Sequence, residues 1–551
     1  MKRDKLIDYA LGNKKADLVI KNAKIVDVFC GGIIEGDAAV ADGIIVGIGD
    51  YEGVREYDAK GKYLMSGFID SHVHIESSMV TPSEYARTVI PRGVTAVVCD
   101  PHEIANVCGI DGILYMQKSA GKSPMDFHFM LPSCVPAAAF EDSGATITAA
   151  DTAEYFKKYK FLGLAEMMNY PGLLFKDEEV LGKLDSAEII DGHAPSVSGK
   201  ELMAYAGCGI LTDHECTSKE EMEEKLSAGM YALLRCGRMS KEFCEMASAV
   251  NRFNATRIAF CTDDRNLGDI VERGTIQNCI VTAVDAGMDI FDAIRAATIN
   301  AAQCYKLKNT GAVAPGYKAD LVLAEDICPR EITAVWKDGV MVAENGKPLF
   351  ERADEEKSDS VYGSVKVKPI DESDLVCGFS PDVPVISIVA GSLSTKKQMR
   401  ETDEGLSHLA VIERHKATGK IGRGYVENYG IKNGAIASCI GHDSHNITVV
   451  GDNASDMKIA VDALGKDGGI AVVSGGKVMV TLPLPVAGLM SDKSAEEVIS
   501  GHKKLEEAAE KLGINPNLDP FMTLAFLSLP VIPELRLTAR GLFDVTRFEF
   551  I

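Results

Sequence analysis

The sequence predicts an α/β protein: a (β/α)8, TIM-like barrel, a small β domain built from segments flanking that barrel, and a C-terminal α+β domain. Three observations predict it. Strand-like apolar runs alternate with helical stretches eight times within residues 65–308, over a length that suits eight βα units. Polar, ionisable residues gather where those runs end. Two distant patches, in residues 17–64 and 309–360, share a grammar of short strands and glycine turns.

In the first patch Leu18-Val19-Ile20, Lys24 to Val28 and Ile44 to Ile48 are separated by Gly31-Gly32 and Asp42-Gly43. In the second, Ala319 to Leu323 and Thr333 to Gly339 follow the turn Ala314-Pro315-Gly316. The two patches are expected to pair, with the barrel as an insertion between them. The barrel strands are expected to end at His74, Asp100, Pro132, Met167, His193, His214, Arg235 and Asp263, with helical stretches such as Lys219 to Leu226 and Ile276 to Ala302. Past a cluster of Pro, Lys and Asp at Lys366 to Asp374, residues 366–551 read as a further unit. Its strands include Val385 to Val389, Ala435 to Ser438, Ile447 to Val450 and Ile470 to Val473, and its helices Ala454 to Leu464 and Ser494 to Leu512.

The chain of 551 residues carries 80 acidic against 58 basic side chains, a net charge of −22 that disfavours a nucleic-acid partner. Residues 1–16 are charged and show no apolar signal core, and the most lipid-like run, Phe521 to Ile532, is short and broken by Pro530. No membrane partner and a cytoplasmic location are therefore expected. The 14 cysteines form no C-x-x-C pair, and Cys99, Cys208 and Cys261 lie in apolar runs, as reduced, buried thiols do.

The chemistry starts at Ser66-Gly67-Phe68-Ile69-Asp70-Ser71-His72-Val73-His74. Residues two apart on a strand point the same way, so His72 and His74 leave its end together, suited to chelating a divalent ion. The later strand ends add Glu166, His193, His214 and Asp263, the number and kind of ligands two divalent ions need. A metal there brings bound water near neutral pKa, and Asp263 is placed to take the proton of that water. Glu215, beside His214, is the first candidate for substrate contact or proton relay. Glu76, His102, Glu103 and Asp264 are further candidates for the substrate or the supporting shell. So are His442 and His445, in a loop expected to reach the barrel mouth.

These strings resemble the amidohydrolase superfamily. The wider resemblance rests on Gly67 to His74, on the later histidines, on Thr262-Asp263 and on Gly316 to Leu321. The narrower one, to its adenine-deaminating branch, covers essentially the whole chain. It rests on His74 to Met79, Cys99 to Val107, Ala165 to Gly172, Asp191 to Pro195, Thr212 to Glu215 and Gly441 to Asn446. The resemblance implies hydrolytic deamination of adenine to hypoxanthine and ammonia in purine salvage. It implies metal ligands His72, His74, Glu166, His193, His214 and Asp263, with Glu166, Glu215 and Asp263 catalytic. Two divalent ions per subunit are implied, manganese or iron, with zinc also accommodated, and a homodimer. Many binuclear relatives carry a carbamylated lysine at the fourth strand; here that position is Glu166, a bridging carboxylate able to take the same part. The alternative is an amidohydrolase that deaminates another nucleobase or hydrolyses a cyclic amide.

Overall fold

The computed structural model describes residues 1–236 and 241–551. Its centre is a closed ring of eight parallel strand segments. In order these are Phe68–His74, Val94–Cys99, Asp126–Phe129, Leu164–Met167, Ile190–Gly192, Thr212–Asp213, Tyr231–Arg235 and Ile258–Cys261, the last continued by Asp263–Asp264. Parallel ladders join the first to the second and the second to the third. The third meets the fourth at the Leu131–Leu164 bridge, and the fourth pairs the fifth. The Leu211 N–H donates to the Ile190 carbonyl at 2.9 Å between the fifth and sixth. The sixth, seventh and eighth follow in ladders, and Asp263 and Asp264 pair Val73 and His74 to close the ring.

The strand ends lie within a few residues of those the sequence predicts, because each apolar run stops where ionisable residues begin. Packing at the fifth strand requires glycine. A Cβ on Gly163 would come within 2.3 Å of the Ile189 carbonyl oxygen, and one on Gly192 within 2.2 Å of that of Thr212. Inside the ring Val98, Met130 and Ala165 pack with Tyr305. The surrounding helices bury Tyr85, Val89, Phe243, Ile280 and Ile294 against the outer faces of the strands.

The stretch 276–302 is three helices, Ile276–Asp285, Ile290–Ala296 and Ile299–Cys304, not one. Gly287 at φ 102° leaves the helical region, and Asp289 caps the next helix by accepting from the Phe291 and Asp292 N–H groups. Leu18 to Val28 is likewise one strand, Ala16–Asp27, whose register shifts between Ile20 and Ala23, with Asn22 at φ 55°. The Asp42-Gly43 turn has φ 49° and 72°, the left-handed pair of a two-residue hairpin.

That strand belongs to a nine-stranded sheet in which Tyr63–Ser66 pairs with Leu321–Ala324, so chain from both sides of the barrel shares one sheet. Its small core includes Ile20, Ile25, Leu64, Leu321 and Trp336. Lys337, almost fully buried, is tied to Asp320 at 3.0 Å and to Asp126 of the third barrel strand at 3.2 Å. Burial pushes the Asp126 carboxyl up, but Lys337 and Lys318 more than reverse this, and it lies below the usual aspartate value.

Beyond residue 384 an eight-stranded sheet carries helices Ala454–Leu464 and Ala495–Lys511, with a three-stranded sheet at 535–550. This region rests on the barrel mouth: the Ala495 N–H donates to Glu84 Oε1 at 2.8 Å, and Arg540 and Lys420 both bind Asp142. Among the described residues no disulfide joins any of the 14 cysteines. Cys99 and Cys261 are buried, but Cys208 is exposed, because it follows the end of helix Gly199–Gly207 instead of lying in a strand. Among the described residues no helix is long and apolar enough to cross a membrane.

Lys337→Met should destabilise the fold by about 3–5 kcal/mol, since it leaves buried Asp320 without its cation and Asp126 with Lys318 alone; chemical denaturation followed by circular dichroism measures this. A lowered folded-state pKa stabilises above the unfolded value near ~3.9 and is lost as pH falls through the folded value. The Asp126 share of the difference between wild type and Lys337→Met should therefore shrink below about pH 4, and the share from Asp320, which burial raises even beside Lys337, should already be lost at a higher pH than that.

Candidate metal centre

The residues at the C-terminal ends of the strands converge on one buried cluster. His72 and His74, two apart on the first strand, bring their Nε2 atoms to 3.1 Å. Asp263 Oδ1 lies 3.5 Å from the former and 3.2 Å from the latter. Asp263 reaches inward from a left-handed backbone at φ 56°, between Cys261 and Asp264. Such a conformation costs a non-glycine residue energy, and the surrounding fold holds it. Its upstream neighbour is fixed as well, since the Thr262 N–H donates to Asp70 Oδ1 at 3.0 Å and its hydroxyl to Oδ2 at 2.5 Å.

Glu166 lies between two donor sets. Oε1 is 3.4 Å from His74 Nε2, while Oε2 is 2.9 Å from His193 Nδ1 and 3.2 Å from His214 Nε2. The His72 and His214 rings stack at 4.2 Å. Groups such as His72–His74–Asp263 and His72–Glu166–His214 have their ligand atoms within 4.8 Å of one another. All but His193 are buried; His193 is partly open toward the mouth.

Other groups hold these side chains from behind. His74 Nδ1 is 3.0 Å from the Asp100 carbonyl oxygen, so it carries the proton and Nε2 is left with its lone pair facing the cluster. Asp213 accepts the Ala194 N–H and the ammonium of fully buried Lys225, each at 2.8 Å, locking together the chain beyond His193 and His214. Asp191, pushed up to about 7 by burial although Thr212 and Tyr305 donate to it, lies 4.0 Å from His72 Nδ1.

The electrostatics suit a divalent cation. Burial disfavours charge on Glu166, yet His193 and His214 hold it well below the usual carboxylate range. Burial likewise opposes protonation of His214, but Glu166, Asp263 and Glu215 raise it to about 9. Buried carboxylates surrounded by imidazole nitrogens make a site whose charge a divalent cation balances. Four imidazoles and two carboxylates at these separations are donors that suit divalent cations.

The remaining predicted residues fall in three places. Glu215 lies on the rim, 3.5 Å from His214 Nε2, and is held by Arg235 Nη1 at 2.7 Å. Asp264 is more exposed, and accepts the Ser77 hydroxyl. Glu76 is buried and pushed up to about 7, because burial outweighs the Ile104 N–H that its Oε1 accepts at 3.1 Å. His102, Glu103, His442 and His445 form a second cluster, in which His102 Nδ1 still comes within 3.4 Å of Glu166 Oε1. The loop containing Gly441 to Asn446 does reach the barrel.

Three participants escaped the sequence reading as site residues. Arg235, noted only as a strand end, places Nη1 2.5 Å from Asp263 Oδ2. Lys225 looked like one more charge on a polar helix; its only local signal is Glu221 four residues earlier, 2.9 Å away. Asp443 was hidden between two histidines that drew the attention.

Two family models match: residues 63–342 match the amidohydrolase family, and 388–549 the adenine deaminase C-terminal domain. The adenine deaminase of Clostridium acetobutylicum is 49% identical over 99% of both chains. This chain belongs to the adenine deaminase family of amidohydrolases. Adenine deaminase 2 of Carboxydothermus hydrogenoformans is 46% identical, covering 99% of this chain and 98% of that one. The adenine deaminase of Geobacillus kaustophilus is 45% identical over 98% and 96%. The family is metal-dependent, which agrees with the donor chemistry of the cluster.

Glu166→Gln should lower the metal retained after desalting more than His193→Asn does, because Glu166 serves both donor sets and His193 one; elemental analysis of the two variants decides this.

Proposed function

We propose that this chain is an adenine deaminase, hydrolysing adenine to hypoxanthine and ammonia in purine salvage. Membership of a family whose members carry that name over their full length is the observation that supports it most. On this reading His72, His74, Glu166, His193, His214 and Asp263 would hold two divalent ions. Manganese or iron is the expected occupant, with zinc accommodated by the same ligands. When bound, the metals supply Lewis acidity and make water a nucleophile near neutral pH.

The protein's own groups handle protons and orientation. Water adds to C6 of the purine: the C–O bond forms as the C6=N1 π pair moves to N1, and Asp263 accepts a proton of the water. Arg235 holds Asp263 Oδ2, so the oxygen facing the histidines is aimed at the reacting atoms. That proton passes to the exocyclic amine; the C6–N bond breaks, ammonia leaves with the bonding pair, C6–O becomes a carbonyl and the remaining hydroxyl proton moves to N1. Glu215, fixed by Arg235, contacts the substrate or relays a proton at the rim. A cavity beside the site is lined by Met79, Leu489, Phe521 and Phe526, with Glu103, Asp264 and His442 as polar groups, a surface suited to a flat heteroaromatic ring.

The remaining assignments belong to the same proposal: a cytoplasmic homodimer, with residues 17–64 and 309–360 as one small β unit, 65–308 as the barrel and 366–551 as the C-terminal unit. Nucleic acid and membrane are not partners.

Purified protein should release ammonia from adenine, lose that activity on chelation and regain it with manganese or iron. Ammonia release from another base, or ring opening of a cyclic amide, with no release from adenine, would overturn the reading. Asp263→Asn should lower kcat by about 10²–10⁴-fold, the range for a lost general base, which steady-state kinetics on the reconstituted enzyme reads.

A further inference from the structure

Where the C-terminal region meets the barrel, four donor atoms close a second ring. From the barrel come His102 Nε2 and Glu103 Oε1, 3.6 Å apart. From the loop opposite come His442 Nδ1 and Asp443 Oδ1, 3.7 Å apart. Across the seam, His102 Nε2 is 3.8 Å from Asp443 Oδ1, and His442 Nδ1 is 2.5 Å from Glu103 Oε1. Donors about 2.0–2.1 Å from a tetrahedral ion lie about 3.3–3.4 Å from one another, so three of these four separations need to contract by only a few tenths of an ångström.

The groups behind the ring prepare it for a cation. Asp100 Oδ2 sits 3.1 Å from His102 Nδ1, which assigns the proton there and leaves the Nε2 lone pair directed into the ring. His445 Nδ1 accepts the Gly441 N–H at 3.2 Å, so its Nε2 carries hydrogen and donates to Glu103 Oε2. Glu103 is thereby held by one oxygen and offers the other. That Oε1 receives no well-directed hydrogen bond despite the nearby His442, and Asp443 Oδ2 has no partner, although Glu103 is 1% and Asp443 4% exposed. Leaving buried carboxylate oxygens unsatisfied is costly, and native folds rarely do so without a purpose. The His442 ring is steadied by stacking on Phe526 at 4.5 Å, and both Glu103 and His442 line the cavity, which provides a way in.

We propose that His102, Glu103, His442 and Asp443 form a third divalent-cation site, separate from the donors on the barrel rim, that clamps the C-terminal region to the barrel mouth. Its imidazole and carboxylate donors select the manganese, iron and zinc class. Of its four ligands, two come from each side of the seam, so an ion there joins parts of the chain more than 330 residues apart and fixes Glu103 and His442 at the cavity wall.

The test is the metal content of full-length protein stripped by chelator, reloaded with manganese alone and desalted, compared between wild type, Asp443→Asn and His442→Gln. Each variant should hold one ion equivalent fewer than wild type, with the thermal midpoint of the metal-free form unchanged. Because the result is a difference, it is independent of how many ions the rim itself takes and of what the enzyme acts on. Equal metal content in wild type and both variants would overturn the third site.

Discussion

The structure depends on one buried carboxylate, Glu166, whose two oxygens face different sets of imidazoles. A charge so deep in the protein is tolerable only where cations or strong donors surround it. That requirement reaches outward through the fold. The fourth strand must end where it does, the first must deliver two histidines on one side, and the fifth and sixth must each deliver one. Behind them the Asp100 carbonyl, Asp213 and Lys225 fix the directions of the ligands. The parallel barrel satisfies all of this because its strand ends point to one face.

Arg235 adds a second layer to that balance. It offsets the charge of Asp263 and of Glu215 at once; burial opposes its own charge, and these two carboxylates more than reverse that. One oxygen of Asp263 is restrained while the other faces His72 and His74. The guanidinium provides the restraint, and the left-handed backbone of Asp263 provides the aim.

The C-terminal region completes the mouth that the barrel leaves open. Histidines of its 441–446 loop meet Glu103 at the start of the helix after the second strand, and Phe521 and Phe526 supply apolar wall. The narrow resemblance to one branch of the superfamily therefore includes this region, since the pocket is built from both parts of the chain.

How much of this was legible beforehand follows from the range of the interactions. Period-two patterning and the halt of each apolar run at an ionisable residue are local signals, so the eight strand ends, the four histidines and the two carboxylates were readable one segment at a time. Helix breaks were less so: the 276–302 stretch reads as one periodic run, and only the φ of Gly287 and the Asp289 cap divide it. Lys225, Arg235 and Asp443 were opaque for a different reason. Each is an ordinary charged residue on a helix, strand end or loop until folding brings partners from distant segments beside it. The sequence by itself determined which residues end the strands, because backbone periodicity and polarity act within a few residues. The tertiary structure alone decided which charges neutralise which, because burial and pairing across the barrel and its seam exist only once the ring has closed.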